Sequence, residues 1–200
     1  MPDQLNLDLG GPIDRMPAFG ERLYFAAVPD PPKAEMIKQL GDRFVAANRL
    51  SGRVCDAERL HISLCGVAER RRLPKDLVDG ARWAAEAISQ APFEIIFNSI
   101  MSFEDLARRT PMPPKHPLVL PTEHIGLSSL NAQLGLQLAR RTRLRIAIGI
   151  RPHMTLLRSE TFLAPQKIEP IHLIVRDFVL VRTWRKESFY QLEGRWPLHA

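Results

Sequence analysis

Two short segments of this chain repeat one another: Leu60-His61-Ile62-Ser63-Leu64 and Pro152-His153-Met154-Thr155-Leu156. Each alternates apolar and polar residues and so predicts a β-strand. Side chains i and i+2 of a strand share a face. His61 and Ser63 therefore point one way, while Leu60, Ile62 and Leu64 point the other. His153 and Thr155 stand in the same way against Met154 and Leu156. Only folds that bury two apolar strand faces, far apart in the chain, and leave both polar faces open satisfy this pattern. If the two strands meet across a groove, it holds two imidazoles and two hydroxyls. Such a set gives a proton, takes a proton and holds a phosphate, which points to phosphodiester chemistry.

The 200 residues, 45% hydrophobic, suit one compact domain or two small lobes with a shared core. No run is long and apolar enough for a membrane-spanning helix. The first twenty residues carry Asp3, Asp8 and Asp14 and no continuous apolar stretch, which argues against a secretory signal. Cys55 and Cys65 match no metal spacing and form no disulfide framework. A cytoplasmic protein with free thiols and no cofactor is the expectation. The net charge is +6, and 22 of the 28 basic residues are arginine. Guanidinium forks match phosphate geometry, so the bias suits an RNA or nucleotide partner. GC-rich codon usage on an ordinary solvated surface gives the same bias.

Along the chain, residues 1–20 read as a loose extension and 21–200 as one folded unit. A strand over Arg22 to Val28 precedes a helix opened by Pro31-Pro32, with Met36, Ile37, Leu40, Phe44 and Ala47 on one face. The first histidine strand is expected from about Arg59 to Cys65. A second helix begins near Pro74, with Leu77, Val78, Ala81, Ala84, Ala85 and Ile88 as its stripe. Strands follow over Phe93 to Phe97 and near Ile100 to Leu106. Residues 107–116 form a proline-rich basic loop. Leu118 to Leu120 is a short strand, and a long helix carries Leu127, Leu130, Leu134 and Leu138. A strand near Leu144 to Ile150, the second histidine strand, and strands over Ile171 to Val181 and Ser188 to Trp196 complete the order. Histidine strands occupy matching places in the two parts, which predicts an α+β fold by internal duplication: two pseudo-symmetric lobes, each an antiparallel sheet with helices packed outside and the site in the cleft between them.

Histidine suits both proton roles, because its ordinary pKa of about 6.5 populates both forms near neutrality. His61 and His153 are the candidate acid and base. Ser63 and Thr155 are the candidate donors to the non-bridging phosphoryl oxygens. No third ligand accompanies either histidine, so a metal site is not expected. His116 and His124 flank loops and are expected in solvent, His172 begins a strand, and His199 lies near the C-terminal end. Arg158 continues the second histidine strand. By parity it lies on the face opposite His153, and it is a secondary candidate for phosphate or structural contact.

At these residues the chain resembles the two-histidine phosphoesterase superfamily, and within it the RNA 2′,3′-cyclic phosphodiesterases, also called the 2′-5′ RNA ligase family. Arg22-Leu23-Tyr24-Phe25-Ala26 resembles the family's first strand. The two histidine segments, the second extended to Leu157-Arg158, resemble its paired motifs. Tyr190-Gln191-Leu192 and Trp196-Pro197-Leu198 resemble its closing strand. The resemblance spans roughly residues 22–198. It implies a bilobal fold, no metal, and hydrolysis of a 2′,3′-cyclic phosphate to a 2′-phosphate. On that pattern His61 protonates the departing 3′ oxygen, His153 activates water, and Ser63 and Thr155 bind phosphate. Ligation would be the reverse reaction, with a 5′-hydroxyl RNA end in place of water.

Ser63 stands where the family usually has threonine, which keeps the hydroxyl. Cys65-Gly66-Val67 replaces an aromatic-leucine-glycine turn and is expected to shorten it. His172 falls where tryptophan is common. Two other readings stay open: an enzyme of the same superfamily acting on a small nucleotide-derived cyclic phosphate, and a non-catalytic RNA-binding protein of the same fold. A monomer is expected.

Overall fold

The computed structural model describes residues 20–104, 115–142, 151–184 and 190–199. Residues 1–19, most of the basic loop and the strand expected near Leu144 to Ile150 lie outside them. The described chain runs β1 (Glu21–Ala27), α1 (Pro31–Asn48), a short 3₁₀ turn (Ala57–Arg59), β2 (Ile62–Arg70), α2 (Lys75–Glu86) and β3 (Phe93–Ser102). It continues β4 (His116–Pro121), α3 (Ile125–Thr142), β5 (His153–Ser159), β6 (Gln166–Val175), β7 (Asp177–Trp184) and β8 (Tyr190–Pro197).

The helices form where the sequence places them. Asp30 caps α1 by accepting from the Lys33 N–H at 2.8 Å, and prolines fill the first helical positions. All six stripe residues expected for the second helix and the four stripe leucines of α3, Leu127, Leu130, Leu134 and Leu138, are buried, while Leu136 on the other side of α3 is exposed. At about 1.5–3 kcal/mol per fully buried leucine, that stripe is what holds α3 on the sheet. Met36, expected inside, is 38% exposed, because α1 turns only the Ile37, Leu40 and Phe44 side inward.

All eight strands form one antiparallel sheet, ordered β6-β3-β4-β5-β2-β1-β7-β8. The two expected sheets are thus one. Its middle is weak: β2 and β5 meet in the single pair Ile62–Met154. The runs on either side of that seam are not the first and second halves of the chain. β7 and β8, from the C-terminal end, join β1 and β2, while β3 crosses to pair with β4 and β6. The three helices pack on one face, where a single large cluster holds Ile37, Leu134, Ile62 and Met154. The other face carries a second, smaller buried cluster of Tyr24, Ala26, Val179 and Val181.

Several boundaries differ from expectation. Phe93–Ser102 is one strand, with an irregularity between Phe97 and Ser99. The strand expected over Ile171 to Val181 is two strands, β6 and β7, which break at Arg176 without glycine or proline and pair with different partners, β6 with β3 and β7 with β1 and β8. Its sign in the sequence is a parity break: Ile171, Leu173 and Val175 alternate, whereas Phe178 to Val181 are buried without interruption. No turn occurs at Cys65-Gly66-Val67, since β2 runs on to Arg70.

Candidate active site

The histidines come together at the seam. Antiparallel neighbours directly opposite share a face. Continuing the Ile62–Met154 register sets His61 across from Thr155 and Ser63 across from His153. Ile62, Leu64, Met154 and Leu156 are fully buried in the core. The four polar side chains therefore lie on the opposite face of the sheet, as the repeat predicts.

The segment before β2 ties His61 to β5. The Cys55 N–H donates to the Leu156 carbonyl at 2.7 Å, and the Ser51 and Ser159 hydroxyls meet at 3.1 Å. Gly52, at φ +99°, lies so close to the Arg158 carbonyl that a Cβ would collide with it. On the core side, the buried Asn131 amide of α3 donates to the Leu64 carbonyl at 2.6 Å. That bond supplies a partner where the β2 ladder is interrupted.

Each imidazole is held in the same way. His61 Nδ1 is 2.8 Å from the Arg59 carbonyl, and His153 Nδ1 is 2.8 Å from the Arg151 carbonyl. A carbonyl only accepts, so Nδ1 carries the proton in both rings and Nε2 is left to take or give one. The surroundings repeat as well. The Tyr24 ring lies 5.3 Å from His61 and carries Arg22 at 5.1 Å. The Phe103 ring lies 4.9 Å from His153 and carries Arg151 at 4.3 Å. Sequence reasoning singled out none of Arg59, Arg151 or Phe103. The signal was one step upstream, where Arg59-Leu60-His61 matches Arg151-Pro152-His153.

Burial lowers the His61 pKa from its ordinary value. The Arg59 carbonyl works against this, while the charges of Arg22, His153 and Arg59 push the same way as burial. His61 is thereby favoured in its neutral form. That His153 is felt at His61 makes the two rings electrostatic neighbours.

Arg158 corrects the parity argument. Val119 pairs with Thr155 but Leu118 pairs with Leu157, so Leu156 is an extra residue in β5. Leu156 and Leu157 are both buried, and exposed Arg158 returns to the groove face. β2 carries the same irregularity, with Leu64 and Cys65 both buried and Gly66 on the groove face, paired with Tyr24. Ser63 is exposed and Thr155 half-buried.

The other histidines lie apart. His172, on β6, is 3.4 Å from Glu94. His116 and His124, expected in solvent, are half-buried: His116 packs edge-on against Phe162, and His124 stacks on Phe93 and accepts from the Gly126 N–H. Burial pushes the Cys65 thiol up to about 12. Among the described residues, no three His, Cys, Asp or Glu side chains gather as a metal cluster. No described helix is long and apolar enough to cross a membrane.

No protein-family model matches the sequence, and neither does any curated protein. Solved structures do match. Apo LigT of E. coli superposes with a TM-score of 0.67 at 23% identity, covering 90% of this chain and 99% of LigT. The chain has the LigT fold. LigT bound to 3′-AMP matches over the same 90% of this chain and 98% of that one, with a TM-score of 0.66. TT0787 of Thermus thermophilus matches at 19% identity over 88% and 97% of the two chains, with a TM-score of 0.66.

Proposed function

We propose that the groove hydrolyses 2′,3′-cyclic phosphates at ribonucleotide ends to 2′-phosphates, without a metal. The observation that carries this reading is the duplicated anchoring of His61 and His153 through Nδ1, which leaves two Nε2 atoms for proton transfer beside two hydroxyls. Water attacks phosphorus as the P–O3′ bond breaks. His153 takes the proton of the water, and His61 gives one to the departing 3′ oxygen. Ser63 and Thr155 donate to the non-bridging oxygens, and Arg158 is a further candidate for phosphate contact. His61, favoured neutral by burial and by the charges of Arg22 and Arg59, gains its proton with the substrate, because the phosphate anion offsets that repulsion. The likeness to LigT, solved with 3′-AMP and with ATP, supports a nucleotide ligand. With a 5′-hydroxyl RNA end in place of water, the reverse reaction is a 2′-5′ ligation.

The test is hydrolysis of a nucleoside 2′,3′-cyclic phosphate beside an oligonucleotide with the same end, the product read by ³¹P NMR. A 2′-phosphate from either supports the reading. Intact substrate in both assays overturns it and leaves a binding protein.

A further inference from the structure

The groove is not symmetric about its two histidines. Beside His61 it deepens into a cavity of about 800 Å³. Its floor is apolar and aromatic, with Tyr24, Val181, Ile174 and Leu192 contributing. Ile174 and Leu192 remain 45% and 47% exposed there. The Tyr190 ring is fixed at one wall because its hydroxyl donates to the Glu58 carbonyl at 2.8 Å. A flat, uncharged ring suits such a wall.

The charges around this cavity oppose those of the groove centre. In a chain of net charge +6, its lining carries four carboxylates, Asp30, Glu35, Glu58 and Asp177, against three guanidiniums, Arg59, Arg176 and Arg195. One of each is spent within the wall, since Arg195 pairs with Asp177 at 2.8 Å, which leaves three carboxylates against two guanidiniums. The first turn of α1 also lines the cavity, and a helix N-terminus ordinarily attracts phosphate. Here it is disarmed. Pro31 and Pro32 have no N–H, the Lys33 N–H is taken by the Asp30 carboxylate at 2.8 Å, and the Ala34 N–H by the Asp30 carbonyl at 2.8 Å. A phosphate entering would meet the Asp30 carboxylate and no free amide.

We infer that the cavity beside His61 is a subsite for an uncharged nucleoside that shuts out a second phosphate, so the favoured substrate is a small cyclic phosphate carrying one base. The inference rests on the reaction proposed above. The reacting phosphate sits between the histidines, and the base and ribose of the same nucleotide fill the cavity. An RNA chain does not run through it.

Kinetics with adenosine 2′,3′-cyclic phosphate and its 5′-phosphorylated counterpart test this. The first should have a kcat/KM at least about 10-fold higher, with the difference in KM. The double variant Glu35→Gln/Glu58→Gln should narrow that ratio severalfold, and Leu192→Arg should narrow or invert it. Binding gives a readout free of turnover: calorimetric titration should rank adenosine 2′-phosphate above both adenosine 2′,5′-bisphosphate and base-free glycerol 2-phosphate. Equal KM for the two cyclic substrates, or equal affinity for the three phosphates, overturns the subsite while leaving the reaction standing. The expected affinity order in a protein that hydrolyses no cyclic phosphate supports the subsite and overturns the reaction instead.

Discussion

Two imidazoles are held by the same backbone hydrogen bond, and on the proposed mechanism they divide one reaction between them, so neither would replace the other. Loss of general acid or base assistance costs about 10²–10⁴-fold. His61→Ala and His153→Ala should each fall by that order in kcat with unchanged circular dichroism, and near-wild-type turnover in either would rule the mechanism out. The hydroxyls act more weakly. A hydrogen bond to a charged group is worth roughly 1.5–3 kcal/mol, so Ser63→Ala and Thr155→Ala should each lose about 10- to 100-fold. Unchanged rates in both would mark the hydroxyls as strand residues only. The lowered pKa of His61 also links folding to pH. The unfolded chain holds that proton more readily than the folded one. The contribution of His61 to stability is therefore present above the ordinary histidine value of about 6.5 and lost as pH falls through it. Chemical denaturation between pH 7.5 and 5.5 should show His61→Gln losing less stability on acidification than the wild type. Parallel losses would mean that the folded groove does not resist protonation of His61.

Among the elements, what the sequence made legible was what one element decides by itself. The stripes of α2 and α3 and the apolar face of each histidine strand follow from local periodicity, and all are buried as read. Which strand pairs with which depends on partners distant in the chain, so the β1–β7 and β3–β6 ladders left no local mark. Arg158 shows the same limit at finer scale. Strict alternation turned it away from the groove, and the extra residue Leu156, visible only against β4, turned it back. The loop that ties His61 to β5 was also hidden, because its demands are conformational. Gly52 adopts φ +99° against the Arg158 carbonyl, a position with room for no side chain. Gly52→Ala should cost about 1–3 kcal/mol in denaturant unfolding and also lower kcat, because the same loop leads into His61. A stable variant with full activity would show that the segment before β2 does not set the histidine geometry.

For the whole molecule, one weak seam in a continuous sheet is the feature on which the proposed function rests. A fully paired β2–β5 ladder would run on beyond one pair; here Ile62–Met154 is the single bridge, and the polar faces on either side remain open to a phosphate. On the proposed mechanism the groove so formed needs opposite protonation states on its two sides at once, one imidazolium and one neutral imidazole. In acid both rings are charged and no base remains. In alkali both are neutral and the leaving oxygen receives no proton. The profile of kcat/KM against pH should therefore be bell-shaped, and its limbs belong to the coupled pair rather than to either ring. Because burial and the neighbouring arginines resist protonation of His61, one limb of the free protein should fall below the ordinary histidine value. Measured in the residual activity of each single-histidine variant, the profile should keep only one limb. A wild-type rate that climbs steadily into alkali, with no descending limb, would mean attack by hydroxide on a phosphate that the histidines only hold.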